Sequence, residues 1–105
     1  MKTKEIDEIL KKIPNDKVNE ATLVASKLKF MESKLAELEK SINEQGVVEH
    51  FINGKQDFLR ESPALASYTK LMKTYDTFYK NLINLLPKEV IDDLNNDDLD
   101  DYVND

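Results

Sequence analysis

Few side chains in this 105-residue sequence are equipped for chemistry, and their spacing decides what they could do. His50 is the one histidine, set between Glu49 and Phe51 in a run that favours a strand. An imidazole can act as a general base, a pH sensor or a metal ligand. No Ser/His/Asp or metal-ligand spacing surrounds it, so a solvent-facing strand position is its ordinary role. Asp97, Asp98, Asp100 and Asp101 suggest at first a calcium loop. Such a loop needs a central glycine and a terminal bidentate glutamate; without them the run reads as a solvated acidic tail. Gly46 and Gly54, the two glycines, do not make a phosphate-cradling loop. The lack of cysteine excludes disulfides, thiolate metal sites and a thiol nucleophile. The expectation is a protein that is not an enzyme, with no cofactor, no metal and no small-molecule substrate.

Charge is distributed unevenly. Residues 92–105 hold seven Asp and no Lys or Arg, whereas residues 1–91 are close to neutral, with a net charge of +1. Lys11, Lys12, Lys17, Lys27, Lys29 and Lys34 make the first half locally basic, and Lys70, Lys73 and Lys80 follow late in the chain. Interleaved Glu residues make a solvated face the default for all of them. Lys11, Lys12, Lys17, Lys27, Lys34, Lys55 and Arg60 are the candidates for phosphate contact if a patch forms on assembly. Within the tail, Leu99 and Tyr102 lie among Asp97, Asp98, Asp100 and Asp101, a pattern suited to a flexible segment that folds on a partner.

The elements that must position these groups are mainly helical. Residues 3–13 form a short helix with Ile6, Ile9, Leu10 and Ile13 on one side. Pro14 ends it, and Asn15 or Asp16 can cap the next helix. A long helix over 17–45 carries Ala21, Val24, Leu28, Met31, Leu35, Leu38 and Ile42 in steps of three and four, the period of a helix seam. Gly46 stands where a left-handed stop belongs.

A β-hairpin follows at 47–60. Its strands come from Val47, Val48, Phe51 and Ile52 and from the return at Lys55 to Leu59, with Asn53-Gly54 as a type I′ turn. Ser62 then caps, and Pro63 opens, a second long helix over 63–86, stopped by Pro87. Its seam is Leu65, Tyr68, Met72, Tyr75, Tyr79, Leu82 and Leu86. Leu71, Phe78 and Leu85 widen the apolar face beyond one neighbour's reach. Leu71, Tyr75, Phe78, Tyr79 and Leu85 are therefore the candidates for an oligomer interface.

The fold class expected is mainly α: an antiparallel helical hairpin with a small β-hairpin at the connecting tip, a short N-terminal helix and an acidic tail. Residues 1–91 form the single domain and 92–105 the tail. No apolar run is long enough to span a membrane, and no signal peptide is expected, so the cytoplasm is the expected compartment.

"NGKQDFLRESPALASYTKLMKTYDTFYKNLINLLP" resembles one large group of bacteriophage terminase small subunits. The resemblance lies in Asn53, Gly54, Lys55, Arg60, Ser62, Pro63, Tyr68, Lys73, Leu82 and Pro87, and covers residues 47–87 best. It implies a non-catalytic DNA-packaging subunit that assembles with copies of itself, as a ring. Such a subunit engages double-stranded viral DNA and regulates or recruits the large ATPase/nuclease subunit in the bacterial host cytoplasm. In that setting the wide face of the last long helix makes subunit contacts and the tail reaches the large subunit. The form is short, with too few residues before the long helix for an N-terminal helix-turn-helix.

The alternative is a small acidic interaction module or inhibitor whose Asp-rich end occupies a basic surface of a partner protein. Deleting residues 92–105 separates the two. The inhibitor loses its activity, whereas the packaging subunit keeps its oligomer, measured by light scattering, and loses capture of the large subunit.

Overall fold

A computed structural model describes residues 3–94; the tail positions from 95 onward, including Asp97, Asp98, Leu99, Asp100, Asp101 and Tyr102, lie outside the described residues. The fold is mainly helical, with the two long helices packed together and a β-hairpin in the connection between them. Two compact units divide the chain. One combines the residues up to Leu28 with those from Phe78 onward, and the other is Lys29–Thr77.

In the first unit, α1 (Thr3–Lys11) buries Ile6 and Ile9, with Ile13 just beyond it. It ends two residues earlier than the apolar pattern predicts, because Pro14 follows. Lys12 and Ile13 instead donate to the carbonyls of Ile9 and Leu10 in tighter turns. The expected cap by Asn15 or Asp16 is replaced. Asn15–Lys17 form a 3-10 turn without a side-chain cap, and the Pro14 carbonyl accepts the Lys17 N–H at 2.9 Å.

α2 (Val18–Gln45) begins in this unit, where Ala21, Ala25 and Leu28 are buried. α3 (Pro63–Ile83) ends in it, with Leu82 buried. Pro87 ends α3 three residues short of the predicted Leu86, and Leu85 and Leu86 close with three-residue turns. Residues 88–94 are helical again, Pro87 supplying the first accepting carbonyl.

The second unit takes its core from Met31, Leu35 and Tyr75, with the Glu32 side chain buried among them. Tyr75 donates its hydroxyl proton to Glu32 at 2.7 Å, and Tyr68 donates to Glu39 at 2.8 Å. Both glutamates lie one heptad apart on α2 and both tyrosines one heptad apart on α3, in opposite chain order. One antiparallel register therefore satisfies both bonds. A residue's slip would take this donor away from the buried Glu32 carboxylate, and a hydrogen bond to a charged group is worth about 1.5–3 kcal/mol.

At the end of α2, Gly46 takes φ +88 and donates to the Ile42 carbonyl at 2.7 Å, the left-handed stop that the sequence predicts. At the start of α3, the Ser62 Oγ accepts the Ala64 N–H at 3.2 Å, the predicted cap ahead of Pro63.

Removing the Tyr75 hydroxyl (Tyr75→Phe) should cost about 1–3 kcal/mol, since the carboxylate it serves is buried; Tyr68→Phe, serving an exposed one, should cost less. Thermal melts check the order. The Tyr68 hydroxyl is held above its usual pKa of 10.0, first by its hydrogen bond to Glu39, then by burial and the charge of Glu39. The folded chain thus binds this proton more tightly than the unfolded one. That contribution is complete below pH 10 and fades as pH rises through the raised value. Urea titrations at rising alkaline pH should show the parent losing stability faster than Tyr68→Phe.

Candidate functional site

The β-hairpin concentrates the exposed apolar surface. β1 (Val48–Asn53) and β2 (Gln56–Glu61) pair antiparallel, from Val48 opposite Glu61 to Asn53 opposite Gln56. The sequence expectation places Asn53-Gly54 at the turn centre, but the loop is Gly54-Lys55. Gly54 has φ +63, and among the described residues no non-glycine has a positive φ. That is the pattern of a type II′ turn, which needs glycine only at its first central position. Asn53 is thereby released into the ladder, and Lys55 sits in the turn rather than on the second strand.

Residues directly opposite share a face. One face carries Glu49 and Arg60, Phe51 and Phe58, Asn53 and Gln56. The two phenyl rings lie 5.2 Å apart and tilted, and the Arg60 guanidinium sits 4.1 Å from the Phe51 ring centre. Arg60 also donates to the Glu49 carboxylate at 2.5 Å. The cation is therefore engaged twice within its own hairpin.

The other face carries Val48, His50 and Ile52 against Glu61, Leu59 and Asp57. His50 Nε2 bonds the Asp57 carboxylate diagonally across the strands. Both side chains are more than half exposed, so this contact adds little to stability. Beside it, Ile52 and Leu59 are 66% and 71% exposed, and Val47, Val48 and Phe58 are exposed as well. A two-stranded hairpin is marginal by itself, and this one leaves apolar area exposed on both faces.

The cationic candidates separate into two sets. Lys11 pairs with Glu8 at 3.1 Å, Lys34 with Glu37 at 2.9 Å while lying over the Phe30 ring, and Arg60 with Glu49. Lys12, Lys17, Lys27 and Lys55 are exposed and have no carboxylate partner among the described residues. Three of these fall in the first unit and Lys55 at the hairpin turn of the second.

The apolar candidates on α3, and Leu85 in the turn after it, also divide. Tyr75 is only 5% exposed and bonded to Glu32, so it serves the core of its own chain. Tyr79 is half-buried and donates to Glu5 at 3.2 Å. Leu71, Phe78 and Leu85 are half-buried, with area left to cover. In the first unit a groove of about 790 Å³ runs past Ile9, Tyr79, Ile83 and Leu86, with Lys12 and Lys80 on its walls.

Sequence reading missed three features. Asp57 as the partner of His50 follows from the strand register, once the turn is centred on Gly54-Lys55. The buried Glu32 falls next to Met31, one position off the apolar seam, where a period of apolar residues gives it no weight. The exposed Phe30, flanked by Lys29 and Lys34, has no sequence signal that sets it apart from a core aromatic.

Among the described residues no cluster of three or more His, Asp or Glu side chains could hold a metal ion, and no helix is long and apolar enough to cross a membrane. No protein-family model, curated protein or solved structure matches the chain.

If the hairpin's apolar face meets a partner, Leu59→Ser should reduce binding of a solvatochromic hydrophobic dye while leaving the helical circular dichroism and melting temperature nearly unchanged. Leu59 is 71% exposed, and surface substitutions of this kind stay within about 0.5 kcal/mol.

Proposed function

We propose that this chain is the non-enzymatic small subunit of a phage DNA-packaging terminase. It assembles with copies of itself, engages double-stranded viral DNA through exposed lysines, and regulates or recruits the large ATPase/nuclease subunit in the bacterial host cytoplasm. The observation that carries the reading is the β-hairpin set between two long seam-forming helices. It resembles the small-subunit pattern over residues 47–87 and exposes apolar residues on both faces. Leu71 and Phe78 on α3, and Leu85 in the turn after it, add half-covered area for subunit contacts.

DNA contact falls to Lys12, Lys17, Lys27 and Lys55, which no acidic neighbour neutralises among the described residues. Removing any one lysine that touches a phosphate should lower the slope of log affinity against log salt by about 0.9 on duplex DNA. Gel retardation at about 50 mM salt, where phosphate contacts are least screened, should show binding that weakens with Lys→Gln changes at these four positions. Light scattering on a sizing column should give a discrete oligomer. A chain that stays monomeric at high concentration, and binds neither duplex DNA nor a large terminase subunit, would refute the proposal.

A further inference from the structure

The hairpin has free backbone bonding groups along its edges as well as exposed side chains. In an antiparallel pair, directly opposed residues alternate between those that exchange hydrogen bonds and those that do not. The Ser62 N–H donates to the Val47 carbonyl at 2.9 Å, in line with the strand register. Counting on from that pair, Glu49 with Arg60, Phe51 with Phe58 and Asn53 with Gln56 are the bonded pairs. The N–H and C=O groups of Val48, His50 and Ile52 therefore point away from β2, along the free edge of β1. Those of Asp57, Leu59 and Glu61 line the free edge of β2. Neither strand holds proline or lysine, the usual means by which an edge is blunted.

We infer that β1 is the docking edge for a second copy of this chain, paired antiparallel with the partner's β1 about a twofold axis through His50. Charge selects this edge. Pairing β2 with β2 about Leu59 sets Asp57 opposite Glu61 twice, and like charges directly opposed are destabilising. Pairing β1 with β2 in the register that the chain itself uses sets Val48 against Glu61 and Ile52 against Asp57. Pairing β1 with β1 sets Val48 against Ile52 at both ends, apolar on apolar, and brings the exposed areas of both residues together.

A nucleic acid fits this surface less well. Glu49, Asp57 and Glu61 outnumber Lys55 and Arg60 in the hairpin, and Arg60 is already held by Glu49. The contact stands without the packaging reading. If that reading also holds, every subunit of the assembly sits in a pair.

The chain has no cysteine, so an introduced thiol is unique. Across a bonded antiparallel pair the Cα atoms lie about 5.5 Å apart, within disulfide reach. Under mild oxidation His50→Cys should become a covalent dimer on a non-reducing gel, while Leu59→Cys, on the other edge, stays largely uncoupled. Equal coupling of the two, or faster coupling through Leu59→Cys, overturns the assignment.

Val48→Lys and Ile52→Glu should each weaken self-association at least tenfold in sedimentation. The two changes combined should recover most of it, because each new ammonium then faces a new carboxylate across the twofold axis. A parent chain that remains monomeric to millimolar concentration, or a double variant no better than the singles, overturns the contact. An assembly untouched by all these variants overturns it too, while leaving the packaging reading intact.

Discussion

The hydrogen bond between the Tyr75 hydroxyl and the buried Glu32 carboxylate is the constraint on which the second unit depends. Heptad seams attract helices without fixing their alignment, since aliphatic side chains offset by a turn still bury one another. A buried carboxylate is less permissive, because it needs a donor at one place and forfeits far more than packing area when the donor is missing. The Tyr68–Glu39 bond, one heptad away, requires the same alignment. With the register set, the left-handed stop at Gly46 and the cap at Ser62 are brought to the two ends of one connection. The β-hairpin is what that connection becomes.

That origin explains why the hairpin is so poorly covered. Its Arg60–Glu49 ion pair, its His50–Asp57 hydrogen bond and its phenyl pair are satisfied across its own strands, so these side chains make few demands on the helices. Apart from the backbone edges, the large exposed side chains left over are apolar: Val48, Ile52 and Leu59 on one face, the outer parts of Phe51 and Phe58 on the other. Such a surface recognises another protein surface more readily than it recognises phosphate. Under the proposed contact, the hairpin faces another copy of the chain, and contact with nucleic acid belongs to lysines elsewhere or at the turn. The same division of labour suits an assembling packaging subunit, in which subunit contacts and DNA contacts occupy different residues.

Much of the fold was legible in the sequence because it rests on signals that act locally. The three-four alternation from Ala21 to Ile42 and from Leu65 to Leu86, the glycine at 46 and the Ser62-Pro63 pair all describe what a few neighbouring residues do. The hairpin was legible for the same reason, but its turn was not. Asn53-Gly54 is the stronger turn signal in isolation, and the ladder moved the turn by one residue so that Asn53 pairs with Gln56. Likewise Asn15 and Asp16 have the chemistry of caps, yet the carbonyl of Pro14 reached the free N–H first. The functional surface was harder to read. Periodicity counts apolar residues and cannot tell that Ile52 faces water while Ile42 is half-covered, nor that a tyrosine on the seam spends its hydroxyl on a glutamate beside it.

The bond from Ser62 to the Val47 carbonyl has a consequence for the order of folding events. It ties the end of α2 to the start of α3, so once the hairpin has zipped, only a few residues of free chain remain between the helices. Closing a loop of some seventeen residues costs on the order of 1–2 kcal/mol more entropy than closing one of two or three. Hairpins form in roughly 1–10 μs, so the strands can shorten the search before the helices meet. A substitution at Gly54 that slows the turn would then delay the docking of α2 on α3 without touching a single contact between them.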